Sequence, residues 1–91
     1  MKRVRLLISG VVQGVGFRNF IFRKARDLNV TGWIKNHTSG QRVEIVLEGN
    51  DLAVEKLVEE CQRGPILSEI SRVQVLPETF TGKFSEFEIK E

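Results

Sequence analysis

The sequence predicts an α+β fold with the element order strand, helix, strand, strand, helix, strand. Three observations carry that prediction. Two stretches place apolar residues at helical spacing, with strand-like runs before and after each of them. A polar, glycine-containing turn joins two of those runs as a hairpin. Glycine, asparagine or proline stands at the breaks between elements.

In the first strand Val4, Leu6 and Ile8 alternate with Arg3, Arg5 and Leu7, and Ser9-Gly10 allows a bend before Val11 and Val12. Residues Arg18–Leu28 read as a helix, because Phe17, Ile21, Ala25 and Leu28 recur on one face. Asn29 can adopt the left-handed conformation that ends it. Val30–Lys35 and Val43–Glu48 are strands around the turn Asn36–Arg42. Asn50 or Asp51 caps a second helix, whose apolar face is Val54, Leu57, Val58 and Cys61. Gly64-Pro65 stops it. Ser68–Leu76 forms a fourth strand, and Phe84–Ile89 offers a short fifth.

This order is the ferredoxin-like βαββαβ plan, one antiparallel sheet with two helices on one face. With the usual strand order 4-1-3-2, the first two strands run in the same direction. Their C-terminal ends then share one edge, so the loop after Val12 is expected near Asn36. The 91 residues point to a single domain, 1–91.

Composition narrows the function classes. Cys61 is the only cysteine and His37 the only histidine, so no internal disulfide and no Cys/His metal cage is expected. These counts fit a reducing compartment and a metal-free protein, and no cofactor is expected. No apolar run approaches the roughly 20 residues of a membrane helix, and no cleavage site follows Met1-Lys2-Arg3. A cytoplasmic, monomeric protein is the expectation. Net charge is only +2, but residues 1–26 carry seven of the fourteen basic residues and none of the twelve acids. A basic N-terminal third points to an anionic partner, either a small phosphorylated molecule or nucleic acid.

The segment VQGVGFR, residues 12–18, leads from the first strand into the first helix. Gly14 and Gly16 permit positive φ and leave backbone N–H groups uncovered, which makes an anion-binding nest at a helix start. Arg18 opens the helix, although a cation there opposes the helix dipole. A bound anion would resolve that conflict, and guanidinium can grip two phosphoryl oxygens at once. The Rossmann pattern fails because Asn19 stands where a third glycine is needed, and no Gly-Lys-Ser/Thr makes a Walker loop.

GVVQGVGFR, residues 10–18, resembles the signature of the acylphosphatase family. The likeness extends through Ala25, Leu28, Val30-Thr-Gly-Trp33, Ile34-Lys-Asn36, Glu48-Gly49 and Phe87-Glu-Ile89. The resemblance implies metal-free hydrolysis of an acyl phosphate to a carboxylate and inorganic phosphate. It implies that Gln13, Gly14, Val15, Gly16, Phe17 and Arg18 bind the phosphoryl group, or a phosphate or sulfate anion, and that Arg18 and Asn36 are catalytic. Ser39 departs from a frequent Asp before Gly40, and the turn carries one extra residue before Val43. Related segments occur inside larger carbamoyl-transfer proteins, whereas the length and the initial methionine lead us to expect a free-standing enzyme.

The rival class is a non-catalytic ferredoxin-like module that binds an anion or RNA. Sheet-bound RNA stacks on aromatics of the central strands, and the first and third strands contain none, so no nucleic acid and no membrane partner is expected. Other residues read as structural. His37 is a solvated turn residue, Cys61 belongs to the core, Trp33 packs on the sheet, and Arg23, Lys24 and Arg26 form the solvated face of the first helix.

Overall fold

The computed structural model describes residues 1–91. The elements are β1 (Lys2–Val11), α1 (Phe17–Asp27), β2 (Thr31–Asn36), β3 (Arg42–Gly49), α2 (Asp51–Arg63), β4 (Glu69–Glu78) and β5 (Phe87–Lys90). The sheet order is β4-β1-β3-β2-β5, which reproduces the expected 4-1-3-2 and adds β5 beyond β2. Four strands pair antiparallel, but β5 runs parallel to β2, so the sheet is mixed rather than antiparallel throughout. The reason is the chain path. The chain leaves β4 at the end of the sheet where β2 begins, and one crossing of that end delivers β5 in β2's own direction.

Strand alternation decides the two faces. Val4, Leu6 and Ile8 of β1 and Val43, Ile45 and Leu47 of β3 point toward the helices and are buried. They meet Phe17, Ile21 and Ala25 of α1 and Val54, Leu57 and Cys61 of α2 in one core. Each such side chain contributes roughly 1.5–3 kcal/mol by leaving water. Cys61 is fully buried, and burial, with the nearby Glu60 charge, pushes its thiol pKa well above the usual range. It is core, not nucleophile.

The helix ends follow local chemistry. Asn50, not Asp51, caps α2: its Oδ1 accepts from Leu52 N at 3.0 Å and Ala53 N at 3.3 Å. Asp51 instead begins the helix and pairs with the N-terminal ammonium at 3.0 Å. Asn29 takes φ 56 after α1, as its position predicts. Gly10 sits at a bulge in the β1–β4 pairing, where any Cβ would overlap the Glu69 carbonyl oxygen. Pro77 is accommodated in β4 because that strand is an edge.

The sheet face turned away from the helices is held by charge. Arg3 donates to Glu48 at 3.0 Å and to Glu78 at 2.7 Å, while Arg5 donates to Glu78 at 2.7 Å and to Glu44. Glu48 is fully buried; besides Arg3 it accepts from Thr81 N, Thr81 Oγ1 and Gly82 N. It thereby pins the β4–β5 connection to β3. Val46, also buried, pairs with Arg5 on one side and Trp33 on the other, and their side chains meet with Arg5 Cζ 5.7 Å from the Trp33 ring.

Candidate active site

β1 and β2 both run antiparallel to β3, so their C-terminal ends lie at one edge of the sheet. There a cavity of about 300 Å³ is lined by Val12, Gln13, Gly14, Gly16, Phe17, Arg18, Asn19 and Asn36, with Ile89 and Glu91 closing its rim. The fold thus brings Arg18 and Asn36 to one cavity, as the expected topology required. Five of the six residues expected to bind phosphoryl line it, and Val15, the sixth, packs partly buried against the core.

The loop builds its geometry from glycine. Gly14 has φ 74 and Gly16 has φ 80, both left-handed, yet a Cβ on either would touch nothing within 4 Å. Glycine is demanded by the backbone turn and not by space. Gly16 starts α1 without any side-chain cap, and the first turn holds no acid. The first backbone N–H of α1 with an internal acceptor is that of Phe20, bonded to Gly16 O at 3.0 Å. The N–H groups of Gly14 through Asn19, at and just before the helix start, have no backbone acceptor. Such a cluster of donors, with the positive end of a helix dipole, is suited to an anion.

Arg18 adds a half-buried guanidinium that forms no ion pair. Most other cations of the N-terminal third are engaged: Lys2 with Glu55 at 3.4 Å, Lys24 with Glu60 at 3.7 Å, and Arg3 and Arg5 as above. Asn36 ends β2 on the helix-facing side, in line with buried Gly32 and Ile34. Its Oδ1 is shielded from solvent and has no hydrogen-bond partner. A buried amide oxygen without a donor is costly, and a turn of the side chain would bring the amide to face the cavity that Asn36 lines.

Gln13 lines the cavity but commits its side chain to the β2–β3 turn. Its Nε2 donates to His37 O at 2.8 Å and Arg42 O at 3.0 Å. Sequence reasoning also missed Ile89 and Glu91. Both arrive through β5, whose residues pair with Gly32–Lys35 of β2, and only the placement of that strand could have revealed them. His37 is partly exposed with Nε2 3.4 Å from Glu44, and Trp33 is flanked by Lys35 and Lys90 at 5.5 and 5.0 Å as well as by Arg5. With its ring so covered, Trp33 is a packing residue. No three His, Cys, Asp or Glu side chains converge to hold a metal. No helix is long and apolar enough to cross a membrane.

Fold and site together define a ferredoxin-like α/β sandwich with a donor-lined cavity, holding Arg18, at the ends of two same-direction strands. The acylphosphatase family model matches residues 4–89. The chain is 44% identical over 89 residues to the acylphosphatase of Methylococcus capsulatus, covering 98% of this chain and 96% of that one. It is 49% identical over 87 residues to the acylphosphatase of Pelotomaculum thermopropionicum, covering 96% and 94%. The crystal structure of acylphosphatase from Bacillus subtilis superimposes with a TM-score of 0.93 at 34% identity over the whole of both chains. The chain belongs to the acylphosphatase family.

Proposed function

We propose that this chain is a single-domain, cytoplasmic acylphosphatase that cleaves the carboxyl-phosphate bond of small acyl phosphates without a metal or cofactor. The observation that carries the reading is the shared cavity: free backbone donors and unpaired Arg18 on one side, the orphaned Asn36 Oδ1 on the other. The N–H groups from Gly14 to Arg18 and the Arg18 guanidinium hold the phosphoryl oxygens. Asn36 accepts a hydrogen bond from the attacking water and aims it in line with the leaving carboxylate. The water oxygen bonds to phosphorus as the phosphorus–oxygen bond to the acyl group breaks. Its electron pair departs with the carboxylate, and the water's proton passes to a phosphate oxygen. No general acid is needed, because a carboxylate leaves unprotonated. Phosphoryl transfer depends mainly on positioning and charge stabilisation, which this donor set supplies.

The test is the loss of benzoyl phosphate, followed by ultraviolet absorbance in EDTA, with the parent, Arg18→Ala and Asn36→Ala. The expected result is rapid metal-free turnover by the parent, inhibited by inorganic phosphate. Each folded variant should lose about 10²–10³ in rate, the cost of one preorganised donor or positioning group. A folded parent that binds phosphate without turnover would leave an anion-binding module instead.

A further inference from the structure

We infer that Gln13 is a positioning residue for Asn36, acting through the β2–β3 turn rather than on the phosphoryl group. The inference rests on the mechanism proposed above and extends it to a residue whose side chain does not face the reacting atoms.

A glutamine amide nitrogen carries two hydrogens. Both are used: one bond runs to His37 O at 2.8 Å and the other to Arg42 O at 3.0 Å. Two carbonyl acceptors also fix which end of the amide is nitrogen. These carbonyls belong to the two ends of the turn. His37 N donates to Arg42 O at 2.9 Å, and Gly40 N donates to His37 O at 3.2 Å. Gln13 therefore clamps the mouth of the hairpin one peptide beyond Asn36.

The clamp matters because of what lies beyond it. Thr38, Ser39, Gly40 and Gln41 are exposed and leave regular pairing, so β2 ends at Asn36 with a turn free to fray. A second tie, Gly10 N to Gln41 O at 2.9 Å, reaches the far side of the turn but not the Asn36 end. Asn36 has no side-chain partner at Oδ1 to fix its rotamer. Its pose follows its backbone, which pairs with Val43 at the last rung of the β2–β3 ladder, and Gln13 fastens the peptides immediately beyond that rung. Since Gln13 directly precedes the loop that begins at Gly14, one residue ties the water-orienting half of the site to the phosphoryl-holding half.

The experiment compares the parent with Gln13→Met, which keeps the side chain's length and removes its donors, alone and combined with Asn36→Ala. In Gln13→Met, kcat should fall about tenfold to a hundredfold, as for a misplaced group, while KM and the inhibition constant of inorganic phosphate stay within about twofold. In the Asn36→Ala background the same change should have no further effect on kcat, because the two residues act as one unit. The Asn36 side-chain amide resonances should broaden or shift in Gln13→Met, a readout that needs no turnover. If Gln13→Met fails to fold, Gln13→Glu replaces it. Its kcat should drop as pH rises through the new carboxyl's titration, since the ionised form cannot donate, while the parent's stays level. Unchanged kcat, a tenfold weaker phosphate inhibition, or losses that simply multiply with Asn36→Ala would each overturn the inference. An inactive parent would sink the proposed function alone, and unmoved Asn36 resonances would then still reject the role of Gln13.

Discussion

Arg18 gathers two requirements that conflict in the free protein. As the second residue of α1 it sits where helices favour acids, and it lacks a carboxylate within ion-pair distance. A doubly charged phosphoryl group satisfies both, since it complements the dipole and takes the fork of the guanidinium. Lysine would preserve the charge but offer a single point of contact. In Arg18→Lys, one charge-assisted hydrogen bond of about 1.5–3 kcal/mol is lost, so kcat/KM should drop roughly tenfold to a hundredfold. Full activity in that variant would mean that charge alone, without bidentate geometry, is what the site uses. Arg18 was legible in the sequence for the same reason that it is important: its charge is out of place by local rules. The bonds of Gln13 to the β2–β3 turn were not, because a side chain that bonds to carbonyls 24 and 29 positions away leaves no local signal.

At the scale of elements, the loop before α1 and the turn after β2 both use left-handed glycines in open space, Gly16 at φ 80 and Gly40 at φ 82. Alanine at either position should cost about 1–2 kcal/mol in stability through the backbone alone. Their functional consequences separate. Gly16→Ala should relax the loop toward negative φ, turn donors away from the cavity and weaken phosphate inhibition, whereas Gly40→Ala should leave it unchanged. Thermal melts and phosphate titrations of the two variants check this, and equal loss of affinity in both would place the effect in general instability. The elements themselves were largely readable, since periodicity of 2 and 3.6 marks strands and helices wherever one face is buried. What sequence left open was where β5 docks. Its four residues carry too little pattern to choose an edge. In the fold the connection is held by the Glu48 carboxylate, which captures Thr81 and Gly82 from 33 and 34 positions away, and the strand by Phe87, buried in the core.

The whole molecule is closed by that same carboxylate, within a network that joins β1, β3, β4 and the β4–β5 connection. Burial by itself would raise the pKa of Glu48, but hydrogen bonds from Thr81, Arg3 and Gly82 more than offset it, leaving it below its ordinary 4.5. Glu78 is lowered too, chiefly by its hydrogen bonds from Arg5 and Arg3. The folded state therefore prefers both carboxylates ionised. Their contribution is fully present above about pH 4.5 and is lost as pH falls through the lower, folded values. The melting temperature of the parent should accordingly decline below pH 4.5. Glu48→Gln should be less stable at pH 7 by about 1–3 kcal/mol, having lost charge-assisted bonds, and should decline less on acidification. Identical acid profiles would exclude Glu48 as a source of acid sensitivity.

The parallel docking of β5 also gives the two chain ends unequal standing. Glu91 lies on the rim of the Arg18–Asn36 cavity, whereas the Met1 ammonium is tied to Asp51 at the start of α2. β1 travels the length of the sheet between its first residue and the cavity, so the two ends open on opposite poles of a molecule about 30 Å long. A peptide or neighbouring domain joined after Glu91 would begin its path at the mouth of the cavity that holds Arg18 and Asn36. One joined before Met1 would begin at the far pole, which makes the amino end the natural place for an affinity tag or a tether.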